Sequence, residues 1–130
     1  MFGFLRDYGP ESALLRFHQA AIANQTNALQ RVCKDKVDSE AVEILKSRLS
    51  ALSAQGAKIR MGLVHRETRF DRVNGETVKV SSVVTEVRYY APGRIENIFW
   101  VIDHEPAGWM VNAYETVLFP VKRLGVGRPG

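Results

Sequence analysis

AKIRMGLVHRETRFDRVNGETVKVSSVVTEVRYYAPGRIENIFWVIDHEPAGWMVNAYETVLFP, residues 57–120, decides the fold. Four runs rich in Val, Ile, Thr and aromatics suit a pleated surface, so strands are predicted over 58–72, 76–90, 94–104 and 109–119. Asn74-Gly75 accepts the positive φ that a tight primed turn requires. Ala91-Pro92-Gly93 and Glu105-Pro106-Ala107-Gly108 punctuate the next two connections. Pro120 cannot donate to a ladder and is expected to close the fourth run. The predicted class is α+β, with N-terminal helices packed on a curved, cone-like four-stranded antiparallel meander.

The turns propagate into a register because side chains alternate with period two. A two-residue loop pairs Val73 with Glu76, which sets His65 opposite Val84 and Glu67 opposite Ser82. A three-residue loop at 91–93 pairs Tyr90 with Arg94, which sets Glu86 opposite Ile98 and Val84 opposite Trp100. Pairing His104 with Trp109 then sets Trp100 opposite Ala113 and Ile98 opposite Glu115. One face collects Ile59, Met61, Val84, Ile98, Trp100, Ile102 and Val111, and the helices are expected to cover it. The other collects Val83, Val87, Tyr89, Phe99, Val101, Tyr114 and Leu118 together with Asp103 and Asn112. A single bulge would exchange the faces beyond it.

Ahead of the sheet, Gly9-Pro10-Glu11 opens a first helix, since Pro fits the first helical position and Glu favours the positive end of the dipole. Leu14, Phe17, Ala20 and Ala21, then Ala28, Leu29 and Val32, follow helical spacing around the polar stretch 24–27. Asp38 is the expected cap of a helix carrying Ala41, Ile44, Leu45, Leu49 and Leu52, and Gly56 is its expected stop. The organisation predicted is an arm over 1–9, one domain over 10–120 and a flexible basic tail over 121–130.

A net charge of +4 falls short of the dense basic stripe of a dedicated nucleic-acid binder, so no nucleic acid is expected as a partner. The apolar start, residues 1–5, is too short for a membrane span or leader and is followed at once by Arg6 and Asp7. Cys33 is the single cysteine, which excludes an internal disulfide and fits a reducing compartment, so the cytoplasm is the expected setting. His18, His65, His104 and Cys33 have no metal-ligand spacing, and no metal or cofactor is expected. The glycines of 125–130 match a dinucleotide fingerprint in letters, but no strand leads into them and no helix follows.

Helices first, then a long meander closing on Gly108-Trp109-Met110-Val111, resembles the nuclear transport factor two-like superfamily, also called cystatin-like or SnoaL-like. Met110 stands where that family's closing run usually carries a basic residue. The resemblance implies a curved sheet wrapped around helices, with a cavity at its wide end. It implies no single activity, because the superfamily holds isomerases, dehydratases, epoxide hydrolases and transport adaptors.

The register gathers His65, Glu67, Ser82, Glu86, Arg88 and Glu115 among apolar neighbours. Inward carboxylates beside Trp100 would be desolvated, which raises a carboxyl pKa and suits a general acid or base. Glu86, Glu115 and His65 are thus the candidate catalytic residues, and Arg88, Trp100 and Glu67 the candidate ligand contacts. Three helices cover only one side of a sheet, so the apolar second face is expected to close a homodimer through Val83, Val87, Tyr89, Phe99, Val101, Tyr114 and Leu118. The expected function is a homodimeric cone that binds a small apolar molecule between helices and sheet. An enzyme of isomerase, dehydratase or hydrolase type is the alternative, and a protein-interaction adaptor the third.

Overall fold

The computed structural model describes residues 9–124. Helices α1 (Pro10–Ile22), α2 (Thr26–Arg31) and α3 (Glu40–Ala54) precede strands β1 (Lys58–Val73), β2 (Glu76–Ala91), β3 (Arg94–Glu105) and β4 (Gly108–Val111), and α4 (Ala113–Leu124) ends the described chain. The strands form one antiparallel meander in the order β1-β2-β3-β4, curled into a half-barrel. The α+β curved-sheet class read from the sequence is the observed one.

Pro10 at the first position starts α1, whose apolar side buries Ala13, Leu14, Phe17, Ala20 and Ala21. Ser39, one residue beyond the expected Asp38, caps α3: its hydroxyl accepts from the Val42 N–H. Gly56 ends that helix at φ +73, a conformation that disfavours a Cβ. Leu14, Phe17, Leu45 and Leu49 pack with Val87, Tyr89, Ile98, Trp100, Ile102 and Val111 into one core. Residues 32–34 lie beside β4, where Val111 N–H donates to Val32 O at 2.7 Å and Lys34 N–H to Val111 O at 2.8 Å.

The β1–β2 register agrees with expectation: Val73 pairs with Glu76, His65 with Val84 and Glu67 with Ser82. Three other expectations are corrected. The second turn is a two-residue loop with Ala91 paired to Arg94, which sets Glu86 opposite Phe99, Val84 opposite Val101 and Thr85 opposite Trp100. A one-residue slip sends every side chain of β3 to the other face relative to β2. A bulge between Met61 and Val64 also exchanges the faces of β1 beyond that point.

The third correction is larger. β4 stops at Val111, and the remainder of the expected fourth strand is α4, with Pro120 inside it. α4 runs along the part of β3 that β4 leaves unpaired and also contacts α3. Thr116 Oγ1 accepts the Val101 N–H at 2.9 Å, and Phe119 stacks on Phe99 with ring centroids 5.2 Å apart. The helix continues through Leu124, so the boundary expected at 120 moves. Residues 1–8 of the expected arm and 125–130 of the expected tail lie outside the described residues.

These changes dissolve the expected dimer face. Val83, Val87 and Tyr89 are buried on the side of Trp100, where α1–α3 pack. Val101 is buried on the opposite side, Phe99 lies beneath Phe119, and Tyr114 and Leu118 sit on α4. The physical cause is the one-residue slip together with a fourth helix that alternation alone does not reveal.

Candidate functional site

The interior between helices and sheet is filled. Trp100 Nε1–H donates to the Tyr89 hydroxyl at 2.8 Å, and that hydroxyl lies 2.6 Å from His18 Nε2, while His18 Nδ1 lies 2.8 Å from Leu14 O. The donor inventory fixes the protons. Trp can only donate and a carbonyl can only accept, so His18 Nδ1–H donates to Leu14 O and Nε2 accepts from the Tyr89 O–H. Burial pushes the His18 pKa down and the Tyr89 pKa up, which keeps both neutral. Beside this triad a cavity of about 50 Å³ is lined by His18, Leu49, Leu52, Ala57, Ile59 and Tyr89. Binding pockets for small molecules are several times larger.

A roomier cleft, about 480 Å³, opens on the opposite face of the sheet. Behind its lining residues Lys34, Arg69 and Asn112 sits Asp103, which ends the apolar run 98–102 of β3 and is fully buried. Asp103 Oδ2 accepts from Lys34 Nζ at 2.9 Å, from Asn112 Nδ2 at 2.9 Å and from Arg69 Nη2. Lys34 also reaches Asp71 at 3.0 Å and Glu105 at 2.9 Å. Arg69 reaches Asp71 at 3.2 Å and Glu115 at 3.5 Å. Asp103 Oδ1 and Arg69 Nε are buried with no hydrogen-bond partner among the described residues.

Local structure delivers each group. Residues 32–34 run beside β4, which carries Lys34 over the sheet. Alternation on β1 puts Arg69 and Asp71 on one side. Asp35 then anchors α4, its two carboxylate oxygens accepting from Ala113 N at 2.7 Å and Tyr114 N at 3.1 Å. Asn112 caps the same helix, accepting from Glu115 N at 3.0 Å, which holds Glu115 near Arg69. Val73, Val78, Val80, Arg72 and an exposed Tyr114 complete the cleft wall.

The charges in this cluster are locked. Burial alone would raise the Asp103 pKa, but hydrogen bonds from Asn112, Lys34 and Arg69 outweigh it and hold the carboxyl below its usual range. Burial would lower the Lys34 pKa, yet hydrogen bonds to Asp103, Glu105 and Asp71 raise it instead. Both groups therefore keep fixed charges near neutral pH.

The residues singled out in the sequence are dispersed. Glu115 belongs to the charged cluster, on a helix instead of a strand. Glu86 and Arg88 meet, with Nε to Oε2 at 3.2 Å, and Asn97 also donates to Glu86 at 2.8 Å. Arg88 and His65 are exposed, and Glu67 is half-buried opposite Ser82. Trp100 lies on the other face from Glu86, fully buried against Phe17 and His18. The pairing of Glu86 with Ile98 and Ile98 with Glu115 is not formed, because of the slip and the shortened β4. Lys34, Arg69, Asp71 and Glu105 were missed. Their detectable signal was a charged residue, Asp103, ending an otherwise apolar run.

Cys33 is buried, and its thiol is pushed up to about 12, first by burial and then by Asp35. Among the described residues, no three His, Cys, Asp or Glu side chains group as a metal site, and no helix is long and apolar enough to cross a membrane. No protein-family model, curated protein or solved structure matches the chain.

Proposed function

We propose that this protein is a binding protein whose site is the cleft above Asp103, and that its ligand is a small organic cation with an apolar body. The observation that carries this is the charge count. Lys34, Arg69 and Arg72 face Asp35, Asp71, Asp103, Glu105 and Glu115, three cations against five carboxylates, which leaves two negative charges in excess. A field of that sign concentrates cations. Tyr114, 58% exposed at the rim, offers a ring face to an ammonium or guanidinium group, and Val73 and Val78 offer exposed apolar wall. The volume suits a small molecule.

Binding is favoured over acid–base turnover because Lys34 and Asp103 are held in their charged states. A general acid or base works best with a pKa near the operating pH. The test is a heteronuclear NMR titration with agmatine and spermidine, using acetate and inorganic phosphate as controls. The amines are expected to shift Tyr114, Val73 and Val78 resonances. Glu115→Gln, which removes one negative charge, is expected to weaken them about 3- to 10-fold. Preference for the anions, or no response to amines at millimolar concentration, would overturn the proposal.

A further inference from the structure

β1 is an edge strand: its inner side pairs with β2, and no described strand pairs with its outer side. Past the bulge, residues 64–73 are regular and paired without interruption. Asn74 and Gly75, at φ +52 and +83, make the two-residue turn closed by Val73 and Glu76. In such a hairpin the closing pair is hydrogen-bonded, and alternation then aims the odd-numbered backbone groups at β2. The N–H and C=O of Val64, Arg66, Thr68, Phe70 and Arg72 consequently face outward. Edge strands are usually blunted by proline, by charged side chains, lysine above all, or by a bulge, and the charges here, Arg66, Glu67, Arg69, Asp71 and Arg72, are of both signs, so they can complement a copy of themselves. Residues 64–73 contain no proline or lysine, and the bulge lies before them.

We infer that this edge pairs with the same edge of a second copy, in antiparallel register about a two-fold axis through Thr68. The sequence His65-Arg66-Glu67-Thr68-Arg69-Phe70-Asp71 is self-complementary when reversed on itself. The axis through Thr68 sets His65 opposite Asp71, Glu67 opposite Arg69 and Arg66 opposite Phe70, each twice. The second is an opposite-charge pair in which Glu67 joins the carboxylates already around Arg69, the first lets the imidazole hydrogen-bond a carboxylate, and the third is a cation facing an aromatic ring that is 66% exposed. Moving the axis to Glu67 sets Glu67 against itself and His65 against Arg69. Moving it to Arg69 sets Arg69 against itself and Glu67 against Asp71. An axis between two residues would put outward backbone groups opposite inward ones. An axis through Phe70 would keep an Arg69–Asp71 pair but leave only residues 68–72 to pair, so charge and strand length together select the axis through Thr68, with about ten main-chain hydrogen bonds between residues 64 and 72 of the two copies. The dimer would be one continuous eight-stranded sheet, held by an edge instead of a face.

This inference shares Arg69 and Asp71 with the cleft wall but needs no ligand there, and its test reads association alone. Sedimentation equilibrium from about 10 to 500 μM is expected to show a monomer–dimer equilibrium. Glu67→Lys is expected to weaken it about tenfold, since two like-charge pairs replace two attractive ones. The register has its own readout. Thr68→Cys would stand about 5.5 Å, Cα to Cα, from its symmetry mate, within disulfide range. Mild oxidation is expected to give a covalent dimer of Thr68→Cys but not of Ser81→Cys, which lies opposite Thr68 on the inner strand. A monomer throughout the concentration range, or equal cross-linking of both variants, would overturn the inference. Circular dichroism of each variant separates lost association from lost fold.

Discussion

Replacing Asp103 with asparagine removes one buried negative charge and leaves the shape of the side chain nearly unchanged. Its Oδ2 accepts three hydrogen bonds, two from the cations Lys34 and Arg69 and one from Asn112. Breaking one side of a buried ion pair costs about 3–5 kcal/mol. Here the loss is smaller, because an amide oxygen still accepts, Lys34 keeps Asp71 and Glu105, and Arg69 keeps Asp71 and Glu115. The Asn112 bond becomes neutral and the two cation bonds weaken to ion–dipole contacts, about 1–2 kcal/mol together, and the amide N–H₂ placed near the unpartnered Oδ1 position adds about 1 kcal/mol. The expected destabilisation is about 2–3 kcal/mol. For 130 residues, an unfolding entropy near 2.1 cal/mol/K per residue turns that into a fall in Tm of about 7–11 °C. Urea unfolding followed by far-UV circular dichroism measures it. Glu105→Gln is the control: it meets Lys34 at the same 2.9 Å but is 27% exposed, so less than about 1 kcal/mol is expected. If Asp103→Asn matched the wild type, gained stability or merely equalled the control, burial would not be what gives this carboxylate its weight.

His18, Asp103 and Asp35 each carry a further outcome. Folded His18 resists protonation because its pKa is depressed, so below its ordinary value of 6.5 the unfolded chain takes up the extra proton and stability falls with falling pH. The slope between 6.5 and the folded pKa is at most about 1.4 kcal/mol per pH unit for one proton, and His18→Gln should flatten it in urea titrations across that window. Asp103, also depressed, gives up its contribution only as pH falls from its ordinary 3.8 through its folded value, so its loss sets in at lower pH than that of His18, which begins at 6.5. Asp35→Ala strips acceptors from the Ala113 and Tyr114 amides and should cost about 1–2 kcal/mol, with faster hydrogen exchange at both amides and partial rescue by Asp35→Asn.

From Val64 to Thr85 the β1–β2 hairpin was legible to the residue because Asn74-Gly75 admits so few turn geometries. The next turn carried a comparable signal: Pro followed by Gly fits the two central positions of a type II turn, and Gly93 indeed sits at φ +80. A two-residue loop follows from that, and with it the placement of Tyr89 beside Trp100. The bulge was harder to see. Ile59, Met61 and Val64 fit either phase of alternation, and Gly62 marks the place: a Cβ there would come within 3.1 Å of Glu86 Oε1. The charged cluster gave almost no local sign, since Lys34 and Asp103 meet across 69 residues of chain. Long-range juxtaposition of that kind depends on how residues 32–34 lie beside β4, which no short spacing encodes.

The switch from strand to helix after Val111 turns on small energies. Tyr114, Thr116, Val117 and Phe119 favour strands, but strand propensity spans only about 1 kcal/mol and shifts with context. Against it stand two N-terminal acceptors, Asn112 and Asp35, each worth about as much. The spacing agrees with the helix: Ala113, Thr116, Val117 and Pro120 fall at i, i+3, i+4 and i+7, and the first two are buried. As a strand the same segment divides its apolar residues between two faces. The chemistry of the cleft depends on this outcome. Only a helix starting at Ala113 turns Glu115 toward Arg69 and leaves Tyr114 at the rim, so the site exists because the sheet stops where it does.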